Sequence, residues 1–308
     1  MSPGSATRWQ VGLIGYGEVG RILAEDLRAR GVDVIAFDPK CNDAAGAPMR
    51  LHASRHGVEL AVDHAGVSVR SDLIVCAVTA SQTEAAAHSC APGMRRGAFF
   101  LDFNSASPGA KIRAAQEIEA FGARYVEAAV MTSVPPYRLR VPLLLGGPHA
   151  AALEPNLDAL GFAPKVASDR LGVASATKMC RSVMVKGLEA MVIESFTAAR
   201  AYGVEDAVLA SLNETFPGLD WEKQAAYFFQ RVIEHGRRRS EEVCEVARTV
   251  REVGLTPWSA DGTAQRQAWM ADLADAGVFG GRDSDGHARQ ADWRVEADRI
   301  LAVLKSTR

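Results

Sequence analysis

Cysteine is scarce and scattered in this 308-residue chain. Cys41, Cys76, Cys90, Cys180 and Cys244 make an odd number, with no C-x-x-C pair among them. That excludes a disulfide framework and a thiolate zinc cluster, and it fits a reducing compartment. An excess of either charge is also missing, with 35 Lys+Arg against 37 Asp+Glu and a net charge of −2. The basic footprint of a nucleic-acid binder is absent, so no nucleic-acid partner is expected. No stretch reaches the ~18 uncharged apolar residues needed to span a bilayer, and no membrane partner is expected. The opening segment, MSPGSATRWQ, has no hydrophobic core of a secretion signal, so the expected location is cytoplasmic. Metal-ligand patterns are missing too: there is no H-E-x-x-H and no clustered Cys/His set. His52, His56, His64, His88, His149, His235 and His287 are spread without ligand spacing, so no metal site is expected.

What the chain does have is length and apolar content. With 308 residues, 48% of them hydrophobic, it suits two domains that each bury a core. The first half alternates short apolar runs with helical patterns. Val11–Ile14 reads as a strand, Val19–Arg30 as a helix stopped by Gly31, and Val32–Phe37 as a second strand. Leu73–Val78 and Phe99–Phe103 are continuous apolar runs, as expected of strands buried on both faces of a parallel sheet. A further strand pair is expected at Arg124–Val130 and Val141–Leu145. This alternation predicts an α/β fold: a doubly wound parallel sheet of the Rossmann kind over residues 1–170. From Ala174 to Ala201 no proline intervenes, and Met179, Val183, Leu188, Met191, Val192 and Phe196 recur near helical spacing until Gly203. Residues 171–308 are therefore expected to be an all-α domain built on one long helix, with Arg282–Arg308 as a solvated helix or capping arm.

The first strand runs straight into Gly15-Tyr16-Gly17-Glu18-Val19-Gly20 and the first helix. In that context the first glycine permits the tight turn, the second lets the backbone approach a pyrophosphate, and the third lets helix and strand pack closely. The free N–H groups of the helix start favour phosphate charge. Asp38 stands at the end of the second strand, where a carboxylate accepts from ribose hydroxyls and repels a 2′-phosphate. The expected cofactor is NAD, with NADP possible because Lys40 follows two residues on. Val78, which ends the Leu73–Val78 run, and Thr79 after it are counted with the cofactor-binding residues.

A nicotinamide takes a hydride but not the accompanying proton, so a non-metal acid/base is required. The segment Gly172–Ser182 offers Lys178 among small residues at the start of the long helix. A lysine in apolar company holds its proton less tightly. By pattern alone, however, such a lysine is more often a surface residue.

The runs GLIGYGEVG (Gly12–Gly20), LDFNSASPGAK (Leu101–Lys111) and GVASATKMCRS (Gly172–Ser182) add a further clue. Through them the chain resembles the β-hydroxyacid dehydrogenase superfamily, which includes 3-hydroxyisobutyrate and 6-phosphogluconate dehydrogenases. The resemblance covers the N-terminal domain and the start of the long helix. The later runs KGLEAMVIESFTAARAYG and HGRRRSEEV look like a divergent branch with its own C-terminal domain. The resemblance implies that Lys178 is the acid/base, that Ser105 contacts the nicotinamide side and the substrate, and that the protein is a homodimer. It also shows departures. The family's asparagine falls on Ser182, and the serine of its substrate loop falls on Met131, which weakens that contact or moves it to Thr132. Another group must then hold an anionic substrate end, and His235 or Arg239 in the densest positive cluster, His235–Arg239, is the candidate. The bland reading of that cluster is a solvated helical face neutralised by Glu241, Glu242 and Glu245.

Cys180 reads as a small buried thiol rather than a nucleophile, and Trp221, Tyr227, Phe228 and Phe229 read as core. The expected activity is interconversion of a hydroxyl and a carbonyl on a small polar substrate, a β-hydroxy acid or related compound. An imine reductase of the same architecture and a non-catalytic dinucleotide sensor are the alternatives.

Overall fold

In the computed structural model, which describes residues 9–280 and 292–306, the chain divides into two compact units, Met1–Met179 and Cys180–Arg308. The first carries eight strands: β1 (Gln10–Ile14), β2 (Asp33–Phe37), β3 (Glu59–Leu60), β4 (Leu73–Cys76), β5 (Phe99–Asp102), β6 (Arg124–Val130), β7 (Pro142–Gly146) and β8 (Ala163–Ser168). Between them lie α1 (Glu18–Ala29), α2 (Ala47–His56), α3 (His64–Ser68), α4 (Thr83–Cys90), α5 (Pro108–Ala120), α6 (Val134–Tyr137) and α7 (Ala150–Leu160). The strands form one sheet in the order β3-β2-β1-β4-β5-β6-β7-β8. All neighbours run parallel except β6 and β7, which are antiparallel.

The continuous apolar runs have a simple cause. Alternate residues of a strand point to opposite faces, and here both faces are covered. Val11, Leu13, Leu73, Val75 and Leu101 pack with Leu23 and Leu27 of α1 and Leu153 and Leu157 of α7. Ile14, Ile74, Cys76 and Phe100 pack with Ala86 and Cys90 of α4 and Ala114 and Ile118 of α5. Chain order reverses at β1, whose neighbours are β2 and β4, and such a switch point opens a crevice at the carboxyl ends of those strands. The loops Gly15–Gly17, Ala77–Thr79 and Phe103–Ser107 all leave that edge.

α8 (Val173–Tyr202) is the long helix, and the division between the units falls within it. The second unit continues with α9 (Glu205–Thr215), α10 (Trp221–Glu252), α11 (Trp258–Asp275) and α12 (Trp293–Ser306). Its core joins Ile193 and Phe196, Trp221 and Phe229, Met270 and Leu273, and Trp293 and Ile300. The stretch expected as a solvated arm is thereby corrected over Trp293–Ser306. That helix buries Trp293, Ala297 and Ile300 together with Glu296, whose carboxylate accepts from Gln230 and Arg299. Residues 281–291 and 307–308 of that expectation lie outside the described residues. Tyr227 also departs from the reading as core, since it is exposed, whereas Trp221 and Phe229 are buried. Among the described residues no helix is long and apolar enough to cross a membrane.

Candidate active site

Three glycines shape the turn between β1 and α1, each for a different reason. Gly15 has φ +92°, and a Cβ there would collide with the Ala77 carbonyl oxygen. A Cβ at Gly20 would collide with the Gly15 carbonyl oxygen. Gly17 differs: a Cβ would meet nothing within 4 Å. Packing does not demand a glycine at that position, whereas close approach of a ligand to the backbone does. Gly17 is also the N-cap of α1 and supplies no side-chain cap, so the helix start presents free N–H groups and the positive end of its dipole. Glu18 is exposed, and Val19 is half-buried behind it.

Asp38 stands beside this turn. Its Oδ2 accepts from the Tyr16 N–H at 2.9 Å and its Oδ1 from the Lys40 N–H at 3.0 Å. A carboxylate offers about four acceptor sites, so two remain for ribose hydroxyls. These residues fit a dinucleotide: an open glycine for the pyrophosphate and an anchored acid for the ribose. The Tyr16 side chain does not face this cradle. It is fully buried, its hydroxyl lies 2.9 Å from His52 Nδ1, and burial raises its pKa above the usual phenol range. Only its backbone belongs to the turn.

Across the crevice edge, Val78 lies against Gly15, and its N–H donates to Asn104 Oδ1 at 2.8 Å. Asn104 is buried and ties the loop after β4 to the loop after β5; sequence reasoning passed over it. Thr79 stands at the start of the short turn that follows, without a side-chain cap to it. The β5 end is braced from within. Lys111 Nζ lies 2.9 Å from Asp102 Oδ1 and donates to the Asp102 carbonyl oxygen at 2.9 Å. The Tyr125 hydroxyl donates to Asp102 Oδ2 at 2.6 Å. Lys111 and Asp102 are both fully buried. Ser107 caps α5 and Pro108 opens it, so the loop carrying Ser105 is held at both ends.

Lys178 reaches this loop, and its Nζ donates to Ser105 Oγ at 2.6 Å. Both side chains are half-buried. Lys178 is placed by the start of α8, which Glu127 of β6 anchors. Glu127 Oε1 accepts from the Ala174 N–H at 3.0 Å and Oε2 from the Ser175 hydroxyl at 2.8 Å. A buried carboxylate at a helix N-terminus satisfies donors that the helix itself leaves free and complements its dipole. Gly146 of β7 makes room for it, because a Cβ there would collide with Glu127 Oε1. Glu127 carries no signal in sequence beyond lying in an apolar strand. Thr132 is exposed on the loop after β6, at the same carboxyl edge of the sheet.

In the second unit, Ser182 is buried on α8, four residues after Lys178. The candidates on α10 need correction. Arg239 is buried and ion-paired with Glu189, so its guanidinium is not an open fork for an anion. Arg237 pairs with Asp272 and Asp275, and Arg238 with Glu242. The cluster is dense in charge but engaged with carboxylates. His235 is partly exposed beside Glu234, and burial among arginines lowers its pKa. Lys186 and Glu242 add a further pair at 2.6 Å within the same helices. Cys180 is exposed, not buried. The reading of scattered histidines is corrected as well: His52 and His56 lie four residues apart on α2, one helical turn, and their rings stack at 4.5 Å beside Glu25.

Residues 10–161 match the NAD binding domain of 6-phosphogluconate dehydrogenase, and residues 199–270 match a domain of unknown function. A conserved hypothetical protein from Sinorhizobium meliloti has 34% sequence identity and a TM-score of 0.77, covering 96% of this chain and 97% of that one. A second protein, described as structurally similar to 3-hydroxyacid dehydrogenases, has 30% identity and a TM-score of 0.68, covering 87% of this chain and 98% of that one. The human mitochondrial 3-hydroxyisobutyrate dehydrogenase is 24% identical over 226 residues, 70% of this chain, and the match spans 64% of that enzyme. The glycine turn, the acid beside it and the matched NAD binding domain agree on a nicotinamide dinucleotide as cofactor, and the dehydrogenase family implies a small-molecule substrate. The chain belongs to the β-hydroxyacid dehydrogenase superfamily of NAD-binding oxidoreductases, in a branch with a helical C-terminal region of its own.

Proposed function

We propose that this protein interconverts the hydroxyl and carbonyl groups of a small polar substrate, a β-hydroxy acid or a related compound, with Lys178 as general acid/base. The observation that carries this reading is the Lys178–Ser105 pair, 2.6 Å apart at the carboxyl edge of the sheet that also holds the glycine cradle. A bound nicotinamide dinucleotide supplies hydride transfer at the substrate carbon. The chain's own residues do the rest. Lys178 Nζ takes the hydroxyl proton in oxidation and returns one to the carbonyl oxygen in reduction. The Ser105 hydroxyl fixes the amine's direction and offers the substrate a hydrogen bond. Thr132 and Ser182 orient the substrate further.

In this reading residues 1–170 are the cofactor-binding domain, and residues 171–308 are an all-helical substrate and dimerisation domain. Met184 and Met191, two turns apart on α8, and Trp258 of α11 are large apolar side chains left exposed, which supports a second copy as their cover. Asp38 supports NAD over NADP, because a fixed carboxylate repels a 2′-phosphate. The test is a panel of β-hydroxy acids assayed with NAD+ and NADP+. Turnover on at least one acid with preference for NAD+, relaxed in Asp38→Ser, is the expected result. NADH binding without turnover on any alcohol or cyclic imine would overturn the reading in favour of a dinucleotide sensor.

A further inference from the structure

We infer that Glu25, His52 and His56 form a binding site for a first-row divalent transition ion, of which Zn2+ is the first candidate. One ligand atom from each of the three lies within 4.8 Å of the others. His52 Nε2 is 2.9 Å from Glu25 Oε1, and His56 Nε2 is 3.9 Å from the same oxygen. Ligands bound to tetrahedral zinc at about 2.0–2.1 Å stand roughly 3.3 Å from one another, midway between those two separations. Small side-chain adjustments therefore suffice.

The backbone already provides the arrangement. His52 and His56 sit one turn apart at the end of α2, the spacing by which two imidazoles of one helix share a metal. Their rings are stacked, 28° from parallel, and both Nε2 atoms approach one carboxylate oxygen supplied by α1. Two imidazoles and one carboxylate suit zinc and its neighbours rather than Mg2+ or Ca2+, which prefer oxygen ligands. All three side chains are partly open to solvent, which leaves a fourth position for water.

The outer contacts match what metal ligands require. His52 Nδ1 is held by the Tyr16 hydroxyl at 2.9 Å, so Nε2 is the nitrogen that faces the site. With an ion at Nε2 the imidazole proton resides on Nδ1 and is donated to Tyr16 Oη. This is a change of tautomer with no net gain or loss of a proton by His52. Glu25 Oε2 is held by Arg138 at 2.6 Å, which leaves Oε1 turned toward the rings. Arg138 also pairs with Asp26 at 2.7 Å, so Glu25, Asp26 and Arg138 together keep one negative charge for a dication. The site would tie α1 to α2 behind the turn that carries Tyr16.

The test is calorimetric titration of tag-free, chelator-treated protein with ZnCl2, with NADH affinity measured alongside. We expect one saturable equivalent of zinc in the parent. His56→Ala should weaken it by more than the roughly 10–100-fold typical of losing an outer-sphere partner, with NADH affinity unchanged. His52→Ala should do the same, and Tyr16→Phe should weaken zinc within that 10–100-fold range. His56 ends its helix and is partly exposed, so its variant keeps the test sound if His52→Ala fails to fold. Absence of a stoichiometric site in the parent, or equal zinc affinity in parent and His56→Ala, would overturn the assignment.

Discussion

Lys178 Nζ and Ser105 Oγ, 2.6 Å apart, join the head of the long helix to the loop after β5. The pair brings together two segments that are 73 residues apart in the chain. A hydrogen bond to a charged amine contributes about 1.5–3 kcal/mol, and each ~1.4 kcal/mol is tenfold in rate. Ser105→Ala should therefore lower kcat by about 10–100-fold, and Ser105→Thr, which keeps the hydroxyl, should restore most of it. Steady-state kinetics on the best substrate of the panel provide the check, and equal kcat in Ser105→Ala and parent would separate the pair from the chemistry.

The glycines of the first turn separate by function. Gly17→Ala meets no atom within 4 Å, so its thermal midpoint should stay close to that of the parent while NADH binding weakens. Gly20→Ala drives a Cβ into the Gly15 carbonyl oxygen, so it should lower the thermal midpoint itself. Thermal unfolding and NADH fluorescence titration of both variants check the contrast. Equal cofactor affinity in Gly17→Ala and parent would remove the close-approach role.

The brace under the Ser105 loop is a buried ion pair. Lys111→Met leaves Asp102 with Tyr125 but without its counter-charge, and losing one partner of a buried pair costs about 3–5 kcal/mol. Urea unfolding should show that loss. Replacing both partners, as in Asp102→Leu with Lys111→Met, should recover part of it. A Lys111→Met variant as stable as the parent would show that the pair braces nothing.

Much of the fold can be read along the chain because the strongest signals are local. β1, β4 and β5 are apolar apart from Gln10 at the start of β1 and Asp102 at the end of β5, since helices cover both their faces, and the periodicity of Ala174–Ala201 matches Val173–Tyr202 to within a residue at each end. β3 is two residues long and β8 begins Ala163-Pro164 with alternating exposure, so neither produces an apolar run. The antiparallel β7 is a matter of direction, which composition does not encode. Among site residues, the glycines and Asp38 stand in a local motif, whereas Asn104, Lys111 and Glu127 act through partners 9–48 residues away. The His235–Arg239 run shows the converse limit: charge density and the i,i+4 pair of Arg238 with Glu242 are visible in sequence, but the carboxylates that engage Arg237 and Arg239 come from α11 and α8. His52 and His56 had the right spacing, and only the fold supplies Glu25 from another helix.

The most direct test of the account is Lys178→Ala, assayed for kcat and for NADH affinity in the same preparation. A positioned proton-transfer group contributes about 10²–10⁴-fold, so kcat should fall by at least ~10²-fold while NADH binds as in the parent. A variant that turns over at the parent rate would contradict the account.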